Sequence, residues 1–190
     1  MKRPSLKSLI QLYGEDVQNM LTSMGLPIAP DTERTAERFI AGLYEMTAGY
    51  SENPDKYSTM FPSGSSGLVI LRDIEFVSLC AHHSLPFTGK ASVAYLANGE
   101  QIIGLSKLAR IVDTYAKRWQ IQEDLTAQIC AEIQKQTQAL GSYVVVRGVH
   151  SCMTCLGVRK SGAEMVTEVG VGALDSATAR CRISNKLSEL

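Results

Sequence analysis

All three histidines of this chain stand beside cysteines, in two short clusters: Cys80-Ala81-His82-His83 and His150-Ser151-Cys152, with Cys155 close behind. Thiolate and neutral imidazole are the ligands that zinc prefers. Three protein ligands plus an open fourth position is the pattern of a catalytic zinc. Cys80, His82, His83, His150 and Cys152 are five candidates for three ligand places. Two side chains are then left over for proton transfer, which hydrolysis beside a metal requires.

Plainer explanations cover parts of the pattern. Free cysteine is among the most buried residue types, so Cys130 and Cys181 read as core or incidental. Cys152-Met153-Thr154-Cys155 has the spacing of a redox pair or of half a structural zinc knuckle. A structural zinc, however, draws on two matched knuckles, and the first cluster holds one cysteine. The expectation is a metal site, catalytic rather than structural. A non-catalytic zinc-binding scaffold is the alternative from another class, and it leaves the surplus side chains without a role.

The elements that must position these residues are legible in outline. At 190 residues and 45% hydrophobic, the chain suits one globular core with a small extension, so metal is not needed merely to hold the fold. Leu6, Leu9, Tyr13, Val17, Met20 and Met24 recur at helical spacing and predict a helix over about 5–24, stopped by Gly25 and Pro27. Asp31-Thr32 can cap a second helix carrying Ala36, Phe39, Leu43 and Met46 on one face. Residues 1–50 therefore read as an N-terminal helical arm, 51–67 as a linker loop rich in Pro, Gly, Ser and Thr, and 68–190 as the main domain.

Within the main domain, Leu68–Cys80 and Lys90–Ala97 read as strands. A helix begins near Ser106 and a longer one follows Trp119, ending near Leu140. Tyr143–Val149 and Met165–Leu174 are the last strands, and Asp175 can cap a short terminal helix. The order ββααββ predicts an α+β domain: one antiparallel sheet, both helices on one face, the other face and the edges uncovered and calling for oligomerisation. Both Cys/His clusters fall at strand ends, where neighbouring strands can bring them to one metal.

Charge and composition exclude other classes. Nineteen basic residues balance nineteen acidic ones, so nothing in the charge favours nucleic acid or an anionic membrane. No apolar run reaches the length of a membrane span, and no leader pattern opens the chain. The odd cysteine count points to a reducing compartment, and the expected location is cytoplasmic.

With Gly104-Leu105-Ser106-Lys107-Leu108-Ala109-Arg110 added to the two clusters, the chain resembles the GTP cyclohydrolase I family. The similarity runs from about Asp31 to Leu174 through several separated motifs in matching order. It implies the tunnelling fold, a homo-oligomer that is usually a decamer of two pentamers, and active sites at subunit interfaces. It implies that Cys80, His83 and Cys152 bind Zn2+ and that His82 and His150 are catalytic. Ser106, Lys107 and Arg110 match the segment that holds the triphosphate, and Gln122 and Glu123 the pair that reads the guanine edge. The implied reaction opens the imidazole ring of GTP and releases C8 as formate, giving dihydroneopterin triphosphate, an early step of folate and pterin synthesis.

Four positions depart from the family pattern. Ala81 stands where the family motif usually has glutamate, Leu156 where it usually has arginine before a glycine, Asp124 where arginine is common and Glu37 where lysine is common. Three of the four remove positive charge, so the alternative expectation is a divergent cyclohydrolase acting on a purine compound with fewer phosphates or none. Other zinc or tunnelling-fold chemistries fit less well. The zinc deaminase signature needs H-x-E and P-C-x-x-C, and here Ser151-Cys152 follow His150 with no proline before Cys152. The nitrile reductase that shares the fold lacks this zinc set.

Overall fold

The computed structural model describes residues 3–188. The arm is a pair of packed helices, α1 (Leu6–Ser23) and α2 (Thr35–Met46). Ser5 caps α1, its hydroxyl accepting from the Ser8 N–H at 3.1 Å. Asp31-Thr32 does not cap α2, which starts only at Thr35. The Thr32 hydroxyl instead accepts from the Ala29 N–H at 3.0 Å, closing a turn ahead of the helix. The segment 51–67 is more ordered than its composition suggests. It contains a 3-10 turn at Pro54–Tyr57, with Tyr57 buried, and the short strand β1 (Met60–Pro62).

β2 (Leu68–Cys80) and β3 (Pro86–Leu96) form an antiparallel hairpin, and β4 (Gln101–Ile103) pairs with β1 in a separate two-stranded ribbon. Then come α3 (Leu105–Ala116), β5 (Trp119–Gln120), α4 (Gln122–Thr137), β6 (Gly141–His150), α5 (Ser151–Cys155), β7 (Met165–Gly172) and α6 (Ala177–Ser188). The main sheet has the order β5-β2-β3-β6-β7. Its four long strands are antiparallel neighbours, while β5 lies parallel to the end of β2. β3 starts four residues earlier than expected, since the fully buried Phe87 belongs to the sheet and Pro86 takes the first strand position, where no ladder N–H is missed.

Side chains alternate across this sheet as the pleat requires. Ala91, Val93, Tyr95, Val144 and Val146 face α3 and α4, and join Leu108, Ile111, Val112, Leu125, Ile129 and Ile133 in the principal core. The opposite face is not left open, as the sequence led us to expect. Ala94, Tyr143 and Val145 pack there with Leu174 and Ile183, so α6 covers part of it. The cap of α6 is Ser176 rather than Asp175: its hydroxyl accepts from the Ala179 N–H at 3.3 Å, while Asp175 pairs with Arg180. No helix among the described residues is long and apolar enough to cross a membrane.

Candidate active site

The first Cys/His cluster is the hairpin turn between β2 and β3. The Ser84 N–H donates to the Cys80 carbonyl at 2.8 Å and the Cys80 N–H to the Leu85 carbonyl at 2.8 Å. Ser84 takes a positive φ of 53° to close the loop, and its hydroxyl accepts from the Trp119 indole N–H at 3.1 Å. Cys80 is thereby anchored in the sheet and buried, while His82 and His83 stand exposed on the turn. The second cluster lies alongside: His150 is the last residue of β6, paired in register with Phe87, and Cys152 sits in α5 just after it.

Three of the expected site residues converge. One ligating atom each from Cys80, His150 and Cys152 lies within 4.8 Å of the others, the one such group among the described residues. The two thiol sulfurs are 4.0 Å apart. Two thiolates bound to a tetrahedral zinc at about 2.3 Å would be separated by about 3.8 Å, so the donor spacing fits that ion. His82 Nδ1 is 3.9 Å from the Cys80 sulfur. His83 lies outside the group, its ring 6.4 Å from that of His82. Burial, and then the neighbouring Cys80 thiol, raise the Cys152 thiol above its ordinary pKa.

These residues open onto a cavity of about 250 Å³ that also receives Gln122, Glu123, Gly148 and Met165. Glu123, in the first turn of α4, brings an exposed carboxylate to its wall. Gln122 is different. It is 1% exposed, and its amide nitrogen, with two hydrogens to give, faces three acceptors: the carbonyls of Val146 at 3.1 Å and Met165 at 3.0 Å and the Thr167 hydroxyl at 3.2 Å. Its Oε1 lies 2.9 Å from His150 Nε2. The side chain expected at the guanine edge is thus committed to the sheet and to a histidine. His150 itself stacks flat on Phe87, rings 4.3 Å apart and 4° from parallel. Burial lowers the His150 pKa from its ordinary value, and the Glu123 carboxylate opposes that shift.

Ser106, Lys107 and Arg110 are not part of this cavity. Ser106 and Arg110 line a separate depression with Glu52, Tyr57 and Lys117. α3 ends beside β5 and so near Cys80, whereas Ser106 is at its other end, about 15 Å away at 1.5 Å per residue. Gly104 occupies the N-cap of α3 without a side-chain acceptor, the arrangement that leaves first-turn N–H groups for an anion. Phe87, Gly148 and Thr167 escaped the sequence reading. Gly148 within a strand was the available signal, since such glycines mark close approach: a Cβ there would sit 2.4 Å from Gln122 Oε1.

A sheet-and-helix α+β domain with a thiol-imidazole cluster that could hold a metal at converging strand ends has the architecture of the tunnelling-fold class. The comparisons make this specific. The pattern of the GTP cyclohydrolase I family matches residues 13–187, and the chain belongs to that family. GTP cyclohydrolase 1 of Coxiella burnetii is 48% identical over 169 residues, covering 88% of this chain and 86% of its own. The GTP cyclohydrolase 1 2 of Pseudomonas aeruginosa is 42% identical over 174 residues, 91% of each chain. Among solved structures, the archaeosine synthase QueF-Like in the apo form is similar at a TM-score of 0.48 and 19% identity, covering 57% of this chain and 97% of that one.

Proposed function

We propose that this protein is a zinc-dependent hydrolase that opens the imidazole ring of GTP and releases C8 as formate, giving dihydroneopterin triphosphate. The observation that carries the reading is the pair of thiols 4.0 Å apart beside His150, in a cavity walled by Glu123. Cys80 and Cys152 hold the metal, with His83 as the third ligand once the exposed turn brings its ring inward. Zinc held by these residues would lower the pKa of a water to about 7, the chemistry that provides hydroxide at neutral pH.

The remaining roles fall to the chain's own groups. Glu123 accepts from the two N–H donors of the guanine edge. Protonation at N7 makes C8 a far better electrophile, and an imidazole can deliver and recover that proton near neutral pH. His150, held by Phe87 and Gln122, and His82, beside the Cys80 sulfur, are the groups in position. Two successive additions of water at C8 then free it as formate. Ser106, Lys107, Arg110 and the bare start of α3 hold the triphosphate, and a second copy of the chain brings them to the cavity. That requirement supports a homo-oligomer, which we take to be a decamer. All five thiols are free, which suits a reducing, cytoplasmic setting.

The test is to incubate zinc-loaded protein with GTP, GDP, GMP, guanosine and guanine, measuring formate and pterin fluorescence. Formate from GTP is expected. No formate from any purine would leave the zinc-binding scaffold as the better reading.

A further inference from the structure

We infer that Gln122 is a positioning residue that fixes the orientation and tautomer of His150, so that His150 works through Nδ1 alone. The inference rests on the hydrolase reading above for what His150 does, but not for how it is held. The amide of Gln122 can point only one way. Two of the acceptors facing its nitrogen, the carbonyls of Val146 and Met165, have no proton to give, so the NH2 end must face them and Oε1 must face His150. The third acceptor agrees. The Thr126 hydroxyl donates to the Gln122 backbone carbonyl at 2.7 Å, which leaves the Thr167 hydroxyl to donate to Thr126 Oγ1 at 2.6 Å and to turn a lone pair, not a proton, toward the Gln122 amide nitrogen.

An amide oxygen can only accept, so His150 Nε2 carries the proton and donates it to Gln122 at 2.9 Å. The one nitrogen with a free lone pair is then Nδ1. A 180° flip of the ring about Cβ–Cγ would keep the stack on Phe87 but put Cε1 where Nε2 stands, leaving Oε1 of a side chain 1% exposed without that N–H donor. Gly148 completes the device. With no Cβ, it leaves room for Oε1, which a methyl group would meet at 2.4 Å. Gln122 is therefore too committed to read guanine, and that task falls to Glu123.

Histidine ring nitrogens labelled with 15N and observed by solid-state NMR test this in the zinc-loaded protein. With three histidines in the chain, the His150→Ala spectrum identifies the His150 pair by difference. Wild type should show a protonated, hydrogen-bonded Nε2 and a bare Nδ1 at His150. An Nδ1–H tautomer would overturn the inference with no variant needed. Gln122→Met removes the acceptor, and Gly148→Ala pushes it aside without deleting any polar group. Both should shift the His150 Nε2 signal and lower kcat for formate release from GTP by about 10–100-fold, with KM within about threefold and zinc content unchanged. Unmoved His150 signals in either folded variant, or a raised KM at constant kcat, would overturn the role. If Gln122→Met does not fold, Gly148→Ala and the wild-type spectrum decide. A wild type that releases no formate would sink the hydrolase reading while the ring spectra still judge the positioning.

Discussion

Cys80 and Cys152 are held on different elements, yet their sulfurs meet at 4.0 Å, and each should be indispensable for metal. Cys80→Ser and Cys152→Ser are expected to abolish zinc binding at physiological metal levels; full occupancy in both, by metal analysis, would remove the site. The third ligand is a sharper question, because geometry and resemblance point to different imidazoles. His150 lies within the 4.8 Å group, and with its Nε2 taken by Gln122 its Nδ1 is the one nitrogen left, either to bind the metal or to move a proton. His83 stands on an exposed turn and can rotate. We expect His83→Ala to lose zinc, and His150→Ala to keep it while formate release falls by about 10²–10⁴-fold, the usual worth of a general acid-base group. The reverse pattern would make Cys80, His150 and Cys152 the ligand set.

At the scale of elements, one end of the sheet carries the chemistry and the other carries stability. α6 packs against Ala94 and, in the first half of β6, Tyr143 and Val145, while His150 closes the same ten-residue strand. Ile183→Ala should therefore cost about 2–5 kcal/mol in denaturant unfolding and leave formate release at 25 °C within about twofold. A collapse of turnover in the folded variant would show that α6 reaches the site. The elements with strong periodicity were legible from the sequence: β2 has the bounds Leu68–Cys80 that its β-branched run predicts, and α3 and α4 follow their apolar spacing. Others left no local trace. β5 is two residues long, too short for any period, and is defined only by its parallel partner β2. The pairing of β1 with β4 joins segments about forty residues apart. The same applies within the site. Residue types announced the candidate ligands, but the clamp of Phe87, Gln122, Gly148 and Thr167 exists only once three strands and a helix are assembled.

For the whole molecule, the thiol-imidazole cavity and the start of α3 lie at opposite ends of one helix and share no lining residue, so the proposed site calls for a second copy. Light scattering should report a large assembly, and a species near 20.7 kDa at micromolar concentration would contradict the proposed site. The charge of that assembled site sets the substrate range. Glu37, where the family tends to have lysine, is spent on Arg34 at 2.9 Å. Asp124 adds a negative charge to the first turn of α4, and Leu156 is an exposed apolar side chain just after α5. Ser106, Lys107 and Arg110 remain, so under the proposed reading phosphate should still be recognised, but each added phosphate should gain less than in a member with the full positive set. The expected result is a smaller preference for GTP over GMP or guanosine. Restoring one charge gives the direct measurement. A charge-assisted contact to phosphate contributes about 1.5–3 kcal/mol, so Leu156→Arg should raise kcat/KM for GTP by about 10–100-fold. Guanosine, which has no phosphate to meet the new arginine, should change by less than about twofold. Equal effects on both substrates would mean that Leu156 does not face the triphosphate. A wild type that already turns over GTP efficiently and ignores guanosine would show that the remaining cations suffice.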